Sequence, residues 1–356
     1  MDALPLNIPA ATATAMAGLV SLGVLCWLFA KLSAGKPLLA YEPRRPVPWT
    51  FVAPLLMLGP SALGIVSNLA APAPNHSTDD ISAATCSTAM ADIGDPVGIS
   101  TARVVVARAI ELEQLRLAGE RTMGAMWSGS ASRLFLTATC YVLLIVVFGA
   151  SISDLGLPHN WRQLRRDAVV GVAACAASLL PIYAISYGLF LLLGPTRAHP
   201  LLEQYVAEPS PALMAAAAMA AFVTAPLFEE TGFRLVFQGW LERCEARYWR
   251  QSTPAVIVPI DGEVLDEGEL AAAREIAAAD FHRPGWSAIV ISGTLFGLAH
   301  FGHGVAPIPL ILLGVVLGYV YQRTHRIVPC IACHALFNGL SLFITWLAVT
   351  FEPATR

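Results

Sequence analysis

The stretch ALMAAAAMAAFVTAPLFEETGFRLVFQGWL occupies residues 212–241 and has the apolar character of a membrane-spanning helix. About 20 apolar residues are enough to cross the roughly 30 Å hydrocarbon core of a bilayer. Nevertheless, Glu229, Glu230 and Arg234 lie inside this run. An ionisable side chain at the centre of a membrane helix costs roughly 2.5 to 3.5 kcal/mol on insertion scales. Three such side chains on one predicted helix therefore indicate a site.

The composition of the whole chain is that of a polytopic membrane protein. Of its 356 residues 56% are hydrophobic and 13% are charged, and the mean hydropathy is +0.62, outside the usual range of soluble domains. We therefore predict an all-α bundle of about eight transmembrane spans. The apolar runs that predict them lie near residues 10–30, 49–71, 133–150, 168–194, 212–241, 286–303, 305–322 and 327–351.

The positive charges predict the orientation of these spans. If the loops alternate between the two sides, 15 of the 22 Lys and Arg residues fall on one side, which the positive-inside rule makes cytoplasmic. Both termini are then predicted to be outside. The fifteen residues are Lys31, Lys36, Arg44, Arg45, Arg162, Arg165, Arg166, Arg234, Arg243, Arg247, Arg250, Arg274, Arg283, Arg323 and Arg326.

Two hydrophilic stretches divide the chain. The first, residues 72–131, contains a segment with helical spacing of apolar residues, which is typical of an amphipathic surface helix or of a partly ordered loop helix. We predict an amino-terminal region, 1–131, made of a transmembrane pair and this loop. The second region, 132–356, is predicted to be a core interrupted by a cytoplasmic insert at 242–285.

The two adjacent glutamates in the quoted stretch are predicted to have different roles. Neighbouring residues on a helix are about 100° apart, so Glu229 and Glu230 cannot face the same way. Arg234 follows Glu230 by four residues, which is the favourable spacing and order for a helical ion pair. Glu230 and Arg234 are thus predicted to support the structure, and Glu229 to transfer protons. The alternative is that both glutamates brace neighbouring helices.

Two later apolar runs contribute histidines. Phe296 precedes His300 by four residues, and His334 precedes Asn338 by four, so each pair lies on one face of its predicted helix. A carboxylate, two imidazoles and an amide can activate water and stabilise an oxyanion. One difficulty is depth, because His300 would lie about 21 Å into its span. It meets Glu229 only if the helix of Glu229 continues to Trp240.

Other hydrolase signatures are missing from the sequence. It has no His-Glu-x-x-His zinc motif, no Gly-x-Ser-x-Gly nucleophile elbow and no pair of intramembrane aspartates. Cys330 and Cys333 have redox or metal-binding spacing, but inside an apolar run we interpret them as packing residues. Attack by a protein nucleophile is therefore disfavoured, and nothing in the sequence indicates a nucleic-acid partner.

Together, Glu-Glu-x-x-x-Arg at 229–234, Phe-x-x-x-His at 296–300 and His-x-x-x-Asn at 334–338 resemble the CPBP family. This family comprises CAAX prenyl endopeptidases and bacterial bacteriocin-processing and abortive-infection proteins. The resemblance covers roughly residues 150–350. It implies a helical fold around an intramembrane cavity, an integral protein of the bacterial inner membrane, and hydrolysis of a membrane-associated protein or peptide.

The resemblance also implies roles for the motif residues. Glu229 and His300 would orient and deprotonate water, while His334 and Asn338 would bind the oxyanion. Glu229, His300 and His334 could instead hold zinc, which suits three protein ligands and an open position. We predict the metal-free mechanism. The alternatives are a non-catalytic membrane scaffold or immunity protein of the same fold, which would not need every proposed catalytic residue, and an ion-coupled carrier.

Overall fold

The computed structural model of this protein describes residues 8–42, 44–59, 123–194, 210–252, 285–301 and 305–351. Most of these residues lie in eight helices, and no strand occurs among them, so the predicted all-α fold is confirmed. The helices are α1 (Ile8–Ser33), α2 (residues 52–59), α3 (Met123–Val146), α4 (Trp161–Leu193), α5 (residues 211–252), α6 (Ser287–Leu298), α7 (Pro307–Thr324) and α8 (Ile327–Thr350).

The predicted spans can be compared with the helices of the described residues. In the described part of the chain five helices, α1, α3, α4, α5 and α8, are long and apolar enough to cross a membrane. The predicted span at 286–303 is wrong, because α6 has only 12 residues and is about 18 Å long. The predicted span at 49–71 is helical over 52–59, and its remainder lies outside the described residues.

Three other helices differ from the bounds of the apolar runs that predicted them. Helix α3 spans Met123–Val146 among the described residues, and the division of the chain at residues 131 and 132 remains a prediction. Helix α4 begins at Trp161, where the side chain of Asn160 caps it by accepting a hydrogen bond from the backbone of Gln163. Helix α5 continues to Ser252, and the rest of the predicted insert lies outside the described residues.

Helix α5 is the irregular element of the bundle. Ser210 caps its start, with Pro211 at the first helical position. The helix then contains two π-helical segments, Met219–Thr224 and Thr231–Gln238, which flank the α-helical turn Ala225–Glu230. π-Helical turns are rare and occur frequently at functional sites. The two glutamates predicted to form the site lie at the end of this short α-helical turn.

Glycines allow the short helix α6 to lie directly against α7. A Cβ atom on Gly293 would lie 2.7 Å from the backbone nitrogen of Val315, and one on Gly297 would lie 2.7 Å from the backbone nitrogen of Ile311. Helices α4 and α8 meet in the same way, since a Cβ atom on Gly171 would lie 2.6 Å from a carbonyl oxygen of α8. The glycines of α6 thus allow its backbone to contact the backbone of α7 closely.

An extended strap, residues 44–51, links α1 to α2 and crosses one end of the bundle. Charged groups hold this end together: Arg44 lies 3.7 Å from Glu242, and Arg45 lies 2.7 Å from Asp154. Burial alone would raise the pKa of Asp154, but hydrogen bonds from Arg45 and Ser151 lower it to about 2. Ion pairs between distant segments therefore fix the strap to the loop before α4 and to α5.

Exposed aromatic side chains surround the same end of the bundle. Trp161 at the start of α4, Trp286 just before α6 and Tyr248 near the end of α5 are all exposed. Tryptophan and tyrosine are enriched at membrane interfaces, where the ring contacts lipid and the polar atom contacts water. With its five long apolar helices, the protein is an integral membrane protein.

Candidate active site

The centre of the site is a buried carboxylate oxygen. Oε2 of Glu229 lies 3.8 Å from Nε2 of His300 and 3.9 Å from Nε2 of His334. This oxygen is shielded from solvent and has no hydrogen-bond partner among the described residues. Buried polar atoms are rarely left without partners unless a functional site or an additional molecule explains them. The three residues predicted to share a site therefore converge in the structure.

The second glutamate lies in a different environment. Oε2 of Glu230 is 3.0 Å from Nε of Arg234, and both side chains are fully buried. Arg234 also donates to the hydroxyl group of Ser292, which in turn donates to the carbonyl of Phe233. The ion pair expected from the four-residue spacing is present, and it compensates the charge of Glu230 inside the bundle.

Glu230 also makes a contact that the sequence did not predict. Its Oε1 accepts a hydrogen bond of 2.8 Å from Nδ1 of His334, 104 positions later in the chain. This bond fixes the plane of the imidazole and directs Nε2 towards Glu229. A carboxylate that orients a histidine in this way is a recurrent feature of catalytic sites. No local sequence spacing could have revealed it, because the two residues are on different helices.

His300 lies two residues beyond the end of α6, in a turn rather than within a span. Its Nδ1 lies 2.9 Å from the carbonyl oxygen of Phe296 and must donate there, because a carbonyl only accepts. In a neutral ring Nε2, the atom nearest Glu229, is then unprotonated. The sequence had suggested that His300 lies too deep in its span to meet Glu229. The two residues do meet, because α5 continues past Trp240 and α6 ends at Leu298.

Phe296 is the hydrophobic centre of the site. Its fully buried ring makes edge contacts with Phe233 and His334, at centroid distances of 5.4 and 5.5 Å, and lies 5.2 Å from the ring of His300. The guanidinium carbon of Arg234 lies 4.7 Å from the same ring, in a cation–π contact. Phe296 thus contacts three of the polar residues and limits their movement; its supporting role in the site remains a prediction.

Asn338 lies one turn beyond His334 on α8. Its Nδ2 donates a hydrogen bond of 3.2 Å to the carbonyl oxygen of Ala221, within the first π-helical segment of α5. The next residue, Gly339, is packed against the ring of Phe222, because an added Cβ atom would lie only 2.0 Å from Cζ of that ring. One amide hydrogen of Asn338 is therefore engaged with α5.

As arranged, Glu229 and the two imidazole nitrogens are farther apart than the ligands of one zinc ion usually are. Tetrahedral ligands at 2.0–2.1 Å from zinc are about 3.3 Å apart, whereas Glu229 lies 3.8 and 3.9 Å from the two imidazole nitrogens. In the described part of the chain no group of three His, Cys, Asp or Glu side chains has the geometry to hold a metal ion. The metal-free mechanism remains a prediction.

Comparison with known proteins gives one family match. The model of the type II CAAX prenyl endopeptidase Rce1-like family matches residues 269–340. This segment contains α6, α7 and the first part of α8, and with them His300, His334 and Asn338. Glu229 lies outside the matched segment, and the fold brings it to the two histidines. No curated protein and no solved structure matches the chain.

Proposed function

We propose that the chain is an intramembrane protease of the CPBP type, an endopeptidase that cleaves a membrane-associated protein or peptide, and the match of residues 269–340 to the Rce1-like family supports this proposal. The observation that carries this proposal is the buried oxygen of Glu229, which lies within 4 Å of two imidazole nitrogens and has no hydrogen-bond partner among the described residues. The proposed catalytic residues are Glu229, His300, His334 and Asn338.

Water is activated between Glu229 and His300. Two acceptors 3.8 Å apart can each lie about 2.8 Å from one water oxygen, a normal hydrogen-bond distance. Glu229 takes one proton from this water while Nε2 of His300 accepts the other hydrogen bond. The resulting hydroxide attacks the carbonyl carbon of the peptide bond. When the tetrahedral intermediate breaks its C–N bond, Glu229 returns the proton to the departing amine.

The oxyanion is bound by His334 and Asn338. His334 already donates from Nδ1 to Glu230, so it can donate from Nε2 only when both ring nitrogens carry protons. This protonation state balances the buried charges, because Glu229 and Glu230 are then matched by Arg234 and His334. The remaining amide hydrogen of Asn338 is the second donor. Preorganised donors of this kind are worth several kcal/mol in a site sheltered from water.

The experiment that tests this function compares the peptides in membranes that contain the wild type or Glu229→Gln. A protease leaves cleaved products that require the wild type, and these products also disappear in His334→Ala. The matched control is His159→Ala, because this histidine is exposed in the loop before α4. Identical peptides in all four membranes would contradict the protease and favour the non-catalytic scaffold of the same fold.

Metal dependence is tested on the same purified protein. We propose that activity survives chelators and that the protein contains no stoichiometric zinc, because the separations at Glu229 are too wide for tetrahedral ligands. Replacing His300 or His334 should then leave the metal content unchanged. One zinc ion per chain that is lost in these variants would overturn the metal-free mechanism.

The proposed orientation places the strap and the aromatic residues around it at the cytoplasmic surface of a bacterial inner membrane, with both termini outside. The basic character of this end supports it under the positive-inside rule. Cys244 is an exposed thiol near the end of α5, at the same end of the bundle. In cells whose other cysteines are replaced, a membrane-impermeant thiol reagent should label it only after permeabilisation. Labelling of intact cells would reverse the orientation.

A further inference from the structure

Two side chains of the strap are buried although the strap lies far outside the segment that matches the protease family. The side chains of Val47 and Trp49 are almost completely inaccessible and belong to the hydrophobic cluster that also contains Leu235 and Val236 of α5. The family match begins more than 200 residues later, at residue 269. Neither the motifs nor the match assigns the strap any part in the site.

Hydrogen bonds attach the strap to α5 at two points. The indole Nε1 of Trp49 donates a bond of 3.0 Å to the carbonyl oxygen of Val236. Two turns later on α5, Nη1 of Arg243 donates to the carbonyl oxygens of Val47 and Trp49, at 2.9 and 2.7 Å. The strap is therefore clamped along the same helix that carries Glu229.

The first attachment point lies within the second π-helical segment of α5. Val236 belongs to Thr231–Gln238, which begins two residues after Glu229. At the end of this segment the ring of Trp49 packs on the backbone, because a Cβ atom on Gly239 would lie 3.4 Å from Cζ2 of the indole. At its beginning, the side chain of Leu58 from α2 would lie 2.9 Å from a Cβ atom on Gly232. The strap and α2 thus contact the π-helical segment at both ends.

A π-helical segment needs such support because it is less favourable than an α-helix and seldom persists without it. The segment could change to α-helical hydrogen bonding. For each residue by which its hydrogen-bond pattern shifted, the parts of α5 on either side would rotate relative to each other by about 100°. The helix beyond Gly239 is held by Arg243, so the part that carries Glu229 would move. Its carboxylate would then leave the position between His300 and His334.

We propose that Trp49 is a positioning residue that holds Glu229 between the two histidines by fixing the π-helical segment Thr231–Gln238 through its indole hydrogen bond. The amino-terminal strap is then a functional part of the protease core rather than an appendage. Trp49 contacts neither substrate nor the reacting atoms in this proposal. Trp49 affects only the position in which α5 holds the carboxylate of Glu229.

The first test does not depend on the proposed function. With the other cysteines replaced, the pair Glu229→Cys and His334→Cys puts thiols where the carboxylate oxygen and the imidazole nitrogen lie 3.9 Å apart, so a short bifunctional thiol reagent should link them. Adding Trp49→Phe, which removes the indole N–H, should slow this cross-link about tenfold. Trp286→Phe is the matched control, since this tryptophan is exposed. Equal cross-linking rates in both triple variants, or no cross-link by the cysteine pair alone, would overturn the proposal.

The second test is kinetic and rests on the proposed function. For a peptide found in the membrane comparison, Trp49→Phe should lower kcat about tenfold and leave KM unchanged, because ground-state binding does not use Glu229. Should this variant fail to fold, a benzothienylalanine at position 49 keeps the bicyclic ring and removes only the N–H donor. If Glu229→Gln still cleaves, the proposed function fails. If Glu229→Gln is inactive while kcat of the Trp49 variants equals that of Trp286→Phe, only the positioning role fails.

Discussion

Replacing Arg234 tests the division of labour between the two adjacent glutamates. In Arg234→Ala the carboxylate of Glu230 keeps its hydrogen bond from His334 but loses the ion pair at 3.0 Å. Breaking a buried ion pair by removing one partner costs about 3 to 5 kcal/mol, because a buried charge is left uncompensated. The remaining bond from His334 should keep the loss near the lower end, at about 3 kcal/mol.

Glu229→Gln should behave differently. Oε2 of Glu229 has no hydrogen-bond partner among the described residues, and in Glu229→Gln the imidazole of His334 can release the proton that balanced this carboxylate, so no buried charge is left unpaired. We expect a free energy of unfolding within about 0.5 kcal/mol of the wild type, together with complete loss of cleavage. The two variants thus separate stability from activity.

The free energy of unfolding is measured by titrating the protein in mixed micelles with sodium dodecyl sulfate. Arg162→Ala is the matched control, because this arginine is exposed near the start of α4 and its loss should be nearly neutral. The double variant Glu230→Gln with Arg234→Ala should recover part of the loss, since no charge is then left unpaired. Equal unfolding free energies for Arg234→Ala and Glu229→Gln would refute the assignment of separate roles.

Three further predictions concern other parts of the molecule. Asn338→Ala should slow cleavage roughly a hundredfold to a thousandfold without changing KM, and an unchanged kcat would remove it from the oxyanion site. Gly339→Ala should destabilise the protein by about 2 kcal/mol or more because its Cβ atom has no room, whereas Gly188→Ala, with open space around it, should not. Asp154→Asn should lower the free energy of unfolding by at most about 2 kcal/mol at neutral pH. Because the pKa of Asp154 is lowered from 3.8 to about 2, this difference in unfolding free energy should vanish as the pH falls from about 4 to about 2. A difference that does not change with pH would show that the charge of Asp154 is not what stabilises the folded protein.

The local features of the site could be predicted from the sequence because helix geometry determines them. The spacing of Glu230 and Arg234 fixed their ion pair in advance, and the 100° offset separated Glu229 from it. The same reasoning placed His300 near Phe296, which its ring contacts in the structure. Such inferences need only that a segment be helical, and the apolar runs established that.

Other features depend on contacts between distant segments, which spacing does not encode. The bonds from Glu230 to His334 and from Trp49 to Val236 join residues more than 100 positions apart. The end of α6 was also missed. Hydropathy showed a largely apolar run to residue 303 but could not show that the helix stops at Leu298, because Ala299 and Phe301, which follow it, are apolar as well.

The π-helical segments of α5 explain how one helix can serve two purposes that ordinary helical geometry would set against each other. Its glutamates must face different partners, with Glu229 towards His300 and Glu230 towards Arg234. Further along the same helix, the backbone must also meet the buried ring of Trp49. The 100° offset of a regular α-helix meets the first requirement, but the rotation that it fixes at every later residue would rarely meet the second requirement as well. Each π-helical turn changes that rotation locally, and the contacts at both of its ends keep the altered register in place.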